Sequence, residues 1–311
     1  MRREAQPTLP LPGRRAAAVF EPHAQPKNLS ALPKLGVGLG YRPQFRADLF
    51  RRRSEVDFLE MTADHYFDAS REKRQELDLL ADHFTLIPHG LNLSLGSAEG
   101  IDPPYLDKFA ELVERVRPPW WSEHIAFTRA GGVDIGHLAP LPFTREAIDV
   151  LCRNIAEARR RIDAPLILEN ITYTVSLPGA EMSETEFLTQ LLERSDCGLL
   201  LDVTNLYTNS VNHGFDPLTF LERLPLERVV QLHFVGGEWH DGQLIDSHST
   251  ATPDEVWSLL DAVCTKAPVK GIILERDEDI PPFDELSGEL ARARTLMQRS
   301  RAPMAAAIQN E

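Results

Sequence analysis

The sequence predicts a (β/α)8 barrel. Three observations point to it: eight short apolar runs, amphipathic helical repeats between most of them, and an alternation that occupies roughly 270 residues, the length such a barrel uses. The runs are LGVGLGY (35–41), VDFLEMT (56–62), TLIPHGL (85–91), WSEHIAF (121–127), PLILENI (165–171), GLLLDVT (198–204), VVQLHFV (229–235) and GIILER (271–276). Unbroken apolar stretches of this length suit strands covered on both faces, as in a parallel sheet.

The intervening segments follow in order. DLFRRR gives only a short helical pattern. SREKRQELDLLADHF, YLDKFAELVERV and TREAIDVLCRNIAEARRRI repeat apolar residues at three- and four-residue steps, as an amphipathic helix does. SETEFLTQLL opens with Ser183 and Glu186 at capping-box spacing. TPDEVWSLLDAV opens with Thr252 and Glu255, with Pro253 at the first helical position. DELSGELARARTLMQRS closes the series. A doubly wound sheet is the rival, but GVGLGY lies within its strand and lacks the GxGxxG spacing of a dinucleotide turn.

Outside the alternation, residues 1–33 are proline-rich without a period and are expected to form a disordered arm. Residues 34–300 form the barrel domain, and 301–311 a flexible tail. The net charge of −14 argues against a general binder of nucleic acid or anionic membranes. Cys152, Cys197 and Cys264 are far apart and make no CxxC, so free thiols in a reducing compartment are expected. No apolar stretch reaches the ~18–20 residues that span a bilayer, and the N-terminus has no sustained apolar signal region. A cytoplasmic protein is the reading.

The chemistry sits at the ends of the runs. His89 closes the third, and Glu123 and His124 lie in the fourth. Glu169 and Asn170 end the fifth. Asp202 and Asn205 follow the sixth, His233 lies in the seventh, Asp246 and His248 come after it, and Glu275 ends the eighth. In a barrel these ends converge on one face, where catalytic groups sit. Each residue alone has a plain explanation: a lone histidine is usually a hydrogen-bonded structural residue, and a strand-end carboxylate often caps the next helix. Six successive strand ends of this kind point to a metal centre.

Four histidines, four carboxylates and the Asn205 carbonyl are too many for one transition metal, which takes about four to six ligands. They suit two or three ions, with Glu169 bridging a pair. The mixed nitrogen and oxygen set suits iron, manganese or zinc. Glu169 and Asp202 are the carboxylates expected to take part in catalysis.

The motifs GVGLGYR, FLEMTADHYF, PHGLNLSLGS, SEHIAFT, ILENITY, GLLLDVTNLY, QLHFVGG, LIDSHS and ILERDEDIPPFDEL resemble the multinuclear non-haem iron-dependent oxidative enzymes (MNIO), the family of the methanobactin-biosynthesis oxidase. The resemblance covers roughly residues 34–290 and implies a xylose-isomerase-like TIM barrel. It implies one metal on His89, His124 and Glu169. A second would share Glu169 and add Asp202, His233 and Glu275. A third, not always occupied, would use Asp246 and His248 with Asn205 nearby.

It further implies two or three irons in mixed Fe(II)/Fe(III) states, O2 as co-substrate, and oxidative modification of cysteine or another residue in a ribosomally made precursor peptide. A small leader-binding partner protein is implied too, with neither nucleic acid nor membrane as a partner. Asp64 and His65 stand where many members have Glu-Asn, and with Asn170 are expected at the substrate. The alternative is a metal-dependent hydrolase or isomerase of the AP-endonuclease or xylose-isomerase class, which would need no O2. His213, Trp120 and Trp121 are expected to pack.

Overall fold

The computed structural model describes residues 29–299. Strands β1 (Gly36–Gly40), β2 (Phe58–Thr62), β3 (Thr85–His89) and β4 (Trp121–His124) precede a hairpin of β5 (Phe127–Ala130) and β6 (Val133–Ala139). Then come β7 (Leu166–Glu169), β8 (Gly198–Asp202) and β9 (Val229–Phe234), a second hairpin of β10 (Gly236–His240) and β11 (Gln243–Thr250), and β12 (Gly271–Leu274). The eight strands outside the hairpins close into a barrel in the order β1-β12-β9-β8-β7-β4-β3-β2. All eight pairings are parallel. Each barrel strand falls inside one of the eight runs, so the fold is the (β/α)8 TIM barrel expected.

The helices are α1 (Arg46–Arg51), α2 (Arg71–Ala81), α3 (Pro103–Val116), α4 (Arg145–Arg161), α5 (Glu184–Ser195), α6 (Val203–His213), α7 (Pro217–Glu222), α8 (Asp254–Lys266) and α9 (Phe283–Arg299). Ser183 and Glu186 cap α5 reciprocally, as their spacing predicts. The second capping box does not form. Helix α8 begins at Asp254 with no side-chain cap, because Glu289 of α9 takes both the hydroxyl and the backbone N–H of Thr252.

Helices α6 and α7 go beyond the sequence reading. Helix α6 is VTNLYTNSVNH, rich in polar and β-branched residues of modest helix propensity. It starts because Asp202 accepts the Asn205 N–H at 2.8 Å, which satisfies one of the donors a helix leaves unpaired at its N-terminus.

Alternate residues of each strand point into the barrel. The lower interior layer is apolar: Phe58, Ile87, Trp120, Ile167, Leu200, Val230 and Ile273 are all buried. Leu29, Leu32 and Leu35 pack beneath it, and Lys270 donates to the Ser30 carbonyl at 2.9 Å. The expected arm therefore meets the barrel at residues 29–33, while its residues 1–28 and the tail 301–311 lie outside the described residues. The layer is crowded where β1 passes β2, since a Cβ on Gly38 would stand 2.4 Å from the Phe58 carbonyl oxygen. Truncating a buried ring the size of Trp120 costs about 3–5 kcal/mol. Among the described residues no helix is long and apolar enough to cross a membrane.

Candidate metal centre

Two residues further along the same strands, the interior turns polar. Ile87 gives way to His89, Ile167 to Glu169, Leu200 to Asp202, Ile273 to Glu275 and Phe58 to Glu60. Register sets them level: His124 is paired with Glu169 across β4 and β7, and Asp202 with His233 across β8 and β9. Glu60, His89, His124, Glu169, Asp202, His233 and Glu275 are all buried.

Glu169 is the hub. Its Oε2 lies 3.3 Å from His89 Nε2 and 3.4 Å from His124 Nε2. Its Oε1 lies 3.2 Å from His233 Nδ1, which in turn is 3.1 Å from Glu275 Oε2. Two groups of potential ligand atoms result, His89–His124–Glu169 and Glu169–Asp202–His233–Glu275, each drawn within 4.8 Å. The two oxygens of one carboxylate thus face different groups.

The other ring nitrogens are engaged, which fixes how each imidazole points. His89 Nδ1 meets the Ser122 hydroxyl at 2.8 Å, and His124 Nδ1 meets the Gly90 carbonyl at 3.0 Å. His233 Nε2 lies 2.7 Å from Glu60 Oε1. Glu60 also accepts from Gln231 at 2.5 Å, and Gln231 accepts from the Trp120 indole at 2.8 Å. A column of contacts therefore rises from the apolar floor to His233. With Nε2 engaged by Glu60, Nδ1 is the nitrogen of His233 that faces Glu169 and Glu275 and that an ion would meet.

A third group is built over the mouth by hairpin β10–β11. His248 Nε2 is 3.0 Å from Asp246 Oδ1, while its Nδ1 is 3.3 Å from Asp277 Oδ2 and 3.8 Å from Glu275 Oε2. His248 has a φ of +53°, a left-handed conformation uncommon outside glycine. Its carbonyl accepts from the N–H groups of Asp277 and Glu278, which holds it there.

Buried polar atoms test whether metal ions fit. Glu169 Oε2, Asp202 Oδ2, Asn205 Oδ1 and Asp246 Oδ1 are buried without a hydrogen-bond partner. Each such acceptor left unmet costs about 1–3 kcal/mol. Cations would satisfy all four, and the nitrogen and oxygen donors suit a first-row transition metal. The residues fit the group.

The cluster faces a cavity of about 620 Å³, also lined by Arg42, His65, Leu91, His137, Leu138 and Ile171. His65 is among the residues lining it. Asp64 and Asn170 differ from the expectation of substrate contact. Asp64 accepts from the Leu91 N–H, the Asn92 amide and the Tyr105 hydroxyl, and so pins the loop after β3. Asn170 spends its amide on both backbone groups of Asp202, at 3.0 and 2.9 Å. Glu123 is likewise structural, accepting from the N–H groups of Leu93 and His124. His213 packs as expected, its ring stacked on Tyr173 at 4.5 Å.

A family model for the RiPP precursor modification enzymes MbnB/TglH/ChrH matches residues 36–298. The chain belongs to this enzyme family. Among its relatives are UPF0276 proteins of Caulobacter vibrioides, 38% identical over 262 residues that span 83% of this chain and 94% of the relative, and of Neisseria meningitidis, 36% identical over 82% of this chain and 93% of the relative. A UPF0276 protein of Streptomyces avermitilis is 39% identical over 88% of this chain but only 57% of its own length.

Solved structures share the fold at low identity. D-psicose 3-epimerase of Clostridium cellulolyticum superposes with a TM-score of 0.51 at 9% identity, over 85% of this chain and 96% of that one. A xylose isomerase domain protein of Alicyclobacillus acidocaldarius gives 0.50 at 17%, over 85% and 96%.

In this MbnB/TglH/ChrH chain burial and neighbouring charges shift the proton affinities of the clustered groups. Burial opposes a charged His124, but Glu169, Glu123 and Glu275 raise it to about 9. Burial, then Asp246 and Glu169, raise Asp202 to about 8. Burial would also raise Glu169, yet His233, His124 and His89 hold it below its usual range.

The folded metal-free state therefore binds more protons than the unfolded chain at both His124 and Asp202. The His124 contribution is complete below its ordinary value of 6.5 and is lost as pH rises through 9. Asp202 destabilises increasingly as pH rises from its ordinary 3.8 through 8. Metal binding must expel these protons and so strengthens with pH. The melting-temperature gap between metal-loaded and chelator-treated protein is expected to widen from pH 6 to 9; a constant or narrowing gap would contradict this reading.

Proposed function

We propose that the chain oxidatively modifies a cysteine, or another residue, of a ribosomally synthesised precursor peptide, using two or three iron ions and O2. Membership of a precursor-modifying family supports the peptide. The single observation that carries the metal chemistry is Glu169, whose two oxygens face separate histidine groups, as a bridging carboxylate would.

In this reading His89, His124 and Glu169 hold one ion, and Glu169, Asp202, His233 and Glu275 hold the next. Asp246, His248 and Asn205, joined by Asp277, hold a third. Bound iron in mixed Fe(II)/Fe(III) states would supply thiolate binding and O2 activation. The chain's own residues set the conditions. Glu60 keeps the proton on His233 Nε2, so that Nδ1 stays a donor to metal. Asn170 fixes the Asp202 backbone, and Asn205 fixes one carboxylate oxygen, which leaves Asp202 Oδ2 for the ion. Leu91, Leu138 and Ile171 give the cavity dry walls, and its volume suits a side chain with its flanking backbone. His65 stands where it could meet that backbone. A leader-binding partner protein and a cytoplasmic location complete the proposal.

The barrel shared with epimerases favours one alternative, a metal-dependent isomerase or hydrolase. Anaerobic purification, metal analysis and Mössbauer spectroscopy of the iron-loaded protein, followed by O2 uptake with cysteine-bearing precursor peptides, separate the two. O2 consumption and a mass change at the peptide are expected. Turnover of any substrate without O2 would favour the alternative instead.

A further inference from the structure

The metal cavity has a neighbour. Ile171 lines it and also a narrow cleft, whose other walls Leu141, Phe143 and Tyr173 belong to a second cavity of about 440 Å³. This second cavity is walled by Phe143, Tyr173, Phe215 and Phe220, with Glu184 among its lining residues. Glu184 begins helix α5, where an exposed acid would already favour the helix dipole. Instead its carboxylate turns into the aromatic chamber and takes a 2.8 Å hydrogen bond from the Tyr173 hydroxyl. Among the described residues no cation stands within ion-pair distance of it. Burial pushes it up to about 7, and an uncompensated carboxylate in such surroundings is costly. At the rim, Asp216 is spent on the Leu218 and Thr219 N–H groups, and Arg223 is exposed to solvent.

We infer that this chamber is a recognition subsite for a lysine or arginine side chain of the peptide, whose cationic head pairs with Glu184 while its stem lies against the aromatic walls. The identification of the guest as part of a peptide rests on the proposed function; the cation specificity rests on the chamber alone. Aromatic faces attract a cation, more so when it is desolvated, and an apolar stem fills space that a bare ammonium ion would leave empty. Glu184 gains the partner that the chain does not supply. Because the cleft shares Ile171 with the metal cavity and Leu141, Phe143 and Tyr173 with this chamber, one extended peptide could place a residue at the metals and a basic residue here.

Calorimetric titration of the full metal-loaded protein with Nα-acetyl-arginine methylamide and the neutral Nα-acetyl-norleucine methylamide tests the assignment. The arginine compound is expected to bind on the order of tenfold more tightly, the loss typical of one charged partner. Glu184→Gln is expected to remove that preference while norleucine binding persists. The wild-type comparison stands by itself should the variant fold poorly. Equal affinity for the two compounds, no binding of either, or a preference that survives in Glu184→Gln would overturn the inference. Neither O2 nor turnover enters the measurement, so its failure leaves the oxidative reading standing, and a failed O2-uptake experiment leaves this subsite measurable.

Discussion

Glu169→Ala is expected to empty both ion positions of the proposed pair and to abolish turnover. Elemental analysis should fall from two or three irons per chain to none or one. The reason is geometric: Oε2 faces His89 and His124, and Oε1 faces His233 beside Glu275. Within the proposed pair, removing any other ligand weakens one position; removing this one opens both. A variant that kept two irons per chain would rule out the bridge. Circular dichroism should show the fold intact, because the alanine relieves a crowded acidic cluster and disturbs no apolar layer.

Chelation should be the next largest effect. A ligand present at about a thousand times its dissociation constant adds about 4 kcal/mol of stability. A domain of this size changes its melting temperature by about 2–4 °C per kcal/mol, so removing the metals should lower it by roughly 10 °C. Proteolysis should then begin in hairpin β10–β11, which meets the barrel top through His248 and its acidic neighbours. An unchanged melting curve with chelator would mean that the four orphaned acceptors are not metal ligands.

Much of this arrangement is legible in the sequence because the physics is local. A strand buried on both faces must be an unbroken apolar run, and the eight runs show this. The upper interior layer is readable because His or an acid at the end of such a run is anomalous. Glu60 and Gln231 were harder to find. They sit inside their strands, where a single polar residue reads as an interruption, although Glu60 keeps the two-residue step between Phe58 and Thr62 that marks the interior face. Asp277 lies one residue beyond the helical and strand patterns and joins His248 only through the return of hairpin β10–β11. Asn170 follows Glu169, which points inward, so along the strand it must point elsewhere, and its amide holds the Asp202 backbone. Helices α6 and α7 leave a weak trace in the sequence because their starts depend on caps, Asp202 and Asp216, rather than on a strong periodic face.

The column from Trp120 through Gln231 and Glu60 to His233 has an evolutionary consequence. In most barrels the foundations can drift while the rim is selected for chemistry, because the two ends scarcely communicate. Here an indole in the basement reaches, through Gln231 and Glu60, an imidazole that the proposed centre would use to hold an ion. If the proposed irons bind, a substitution at Gln231 that harmed neither expression nor melting would still retune their reduction potential. Relatives with different reactions could therefore differ at the bottom of the barrel as well as at the top.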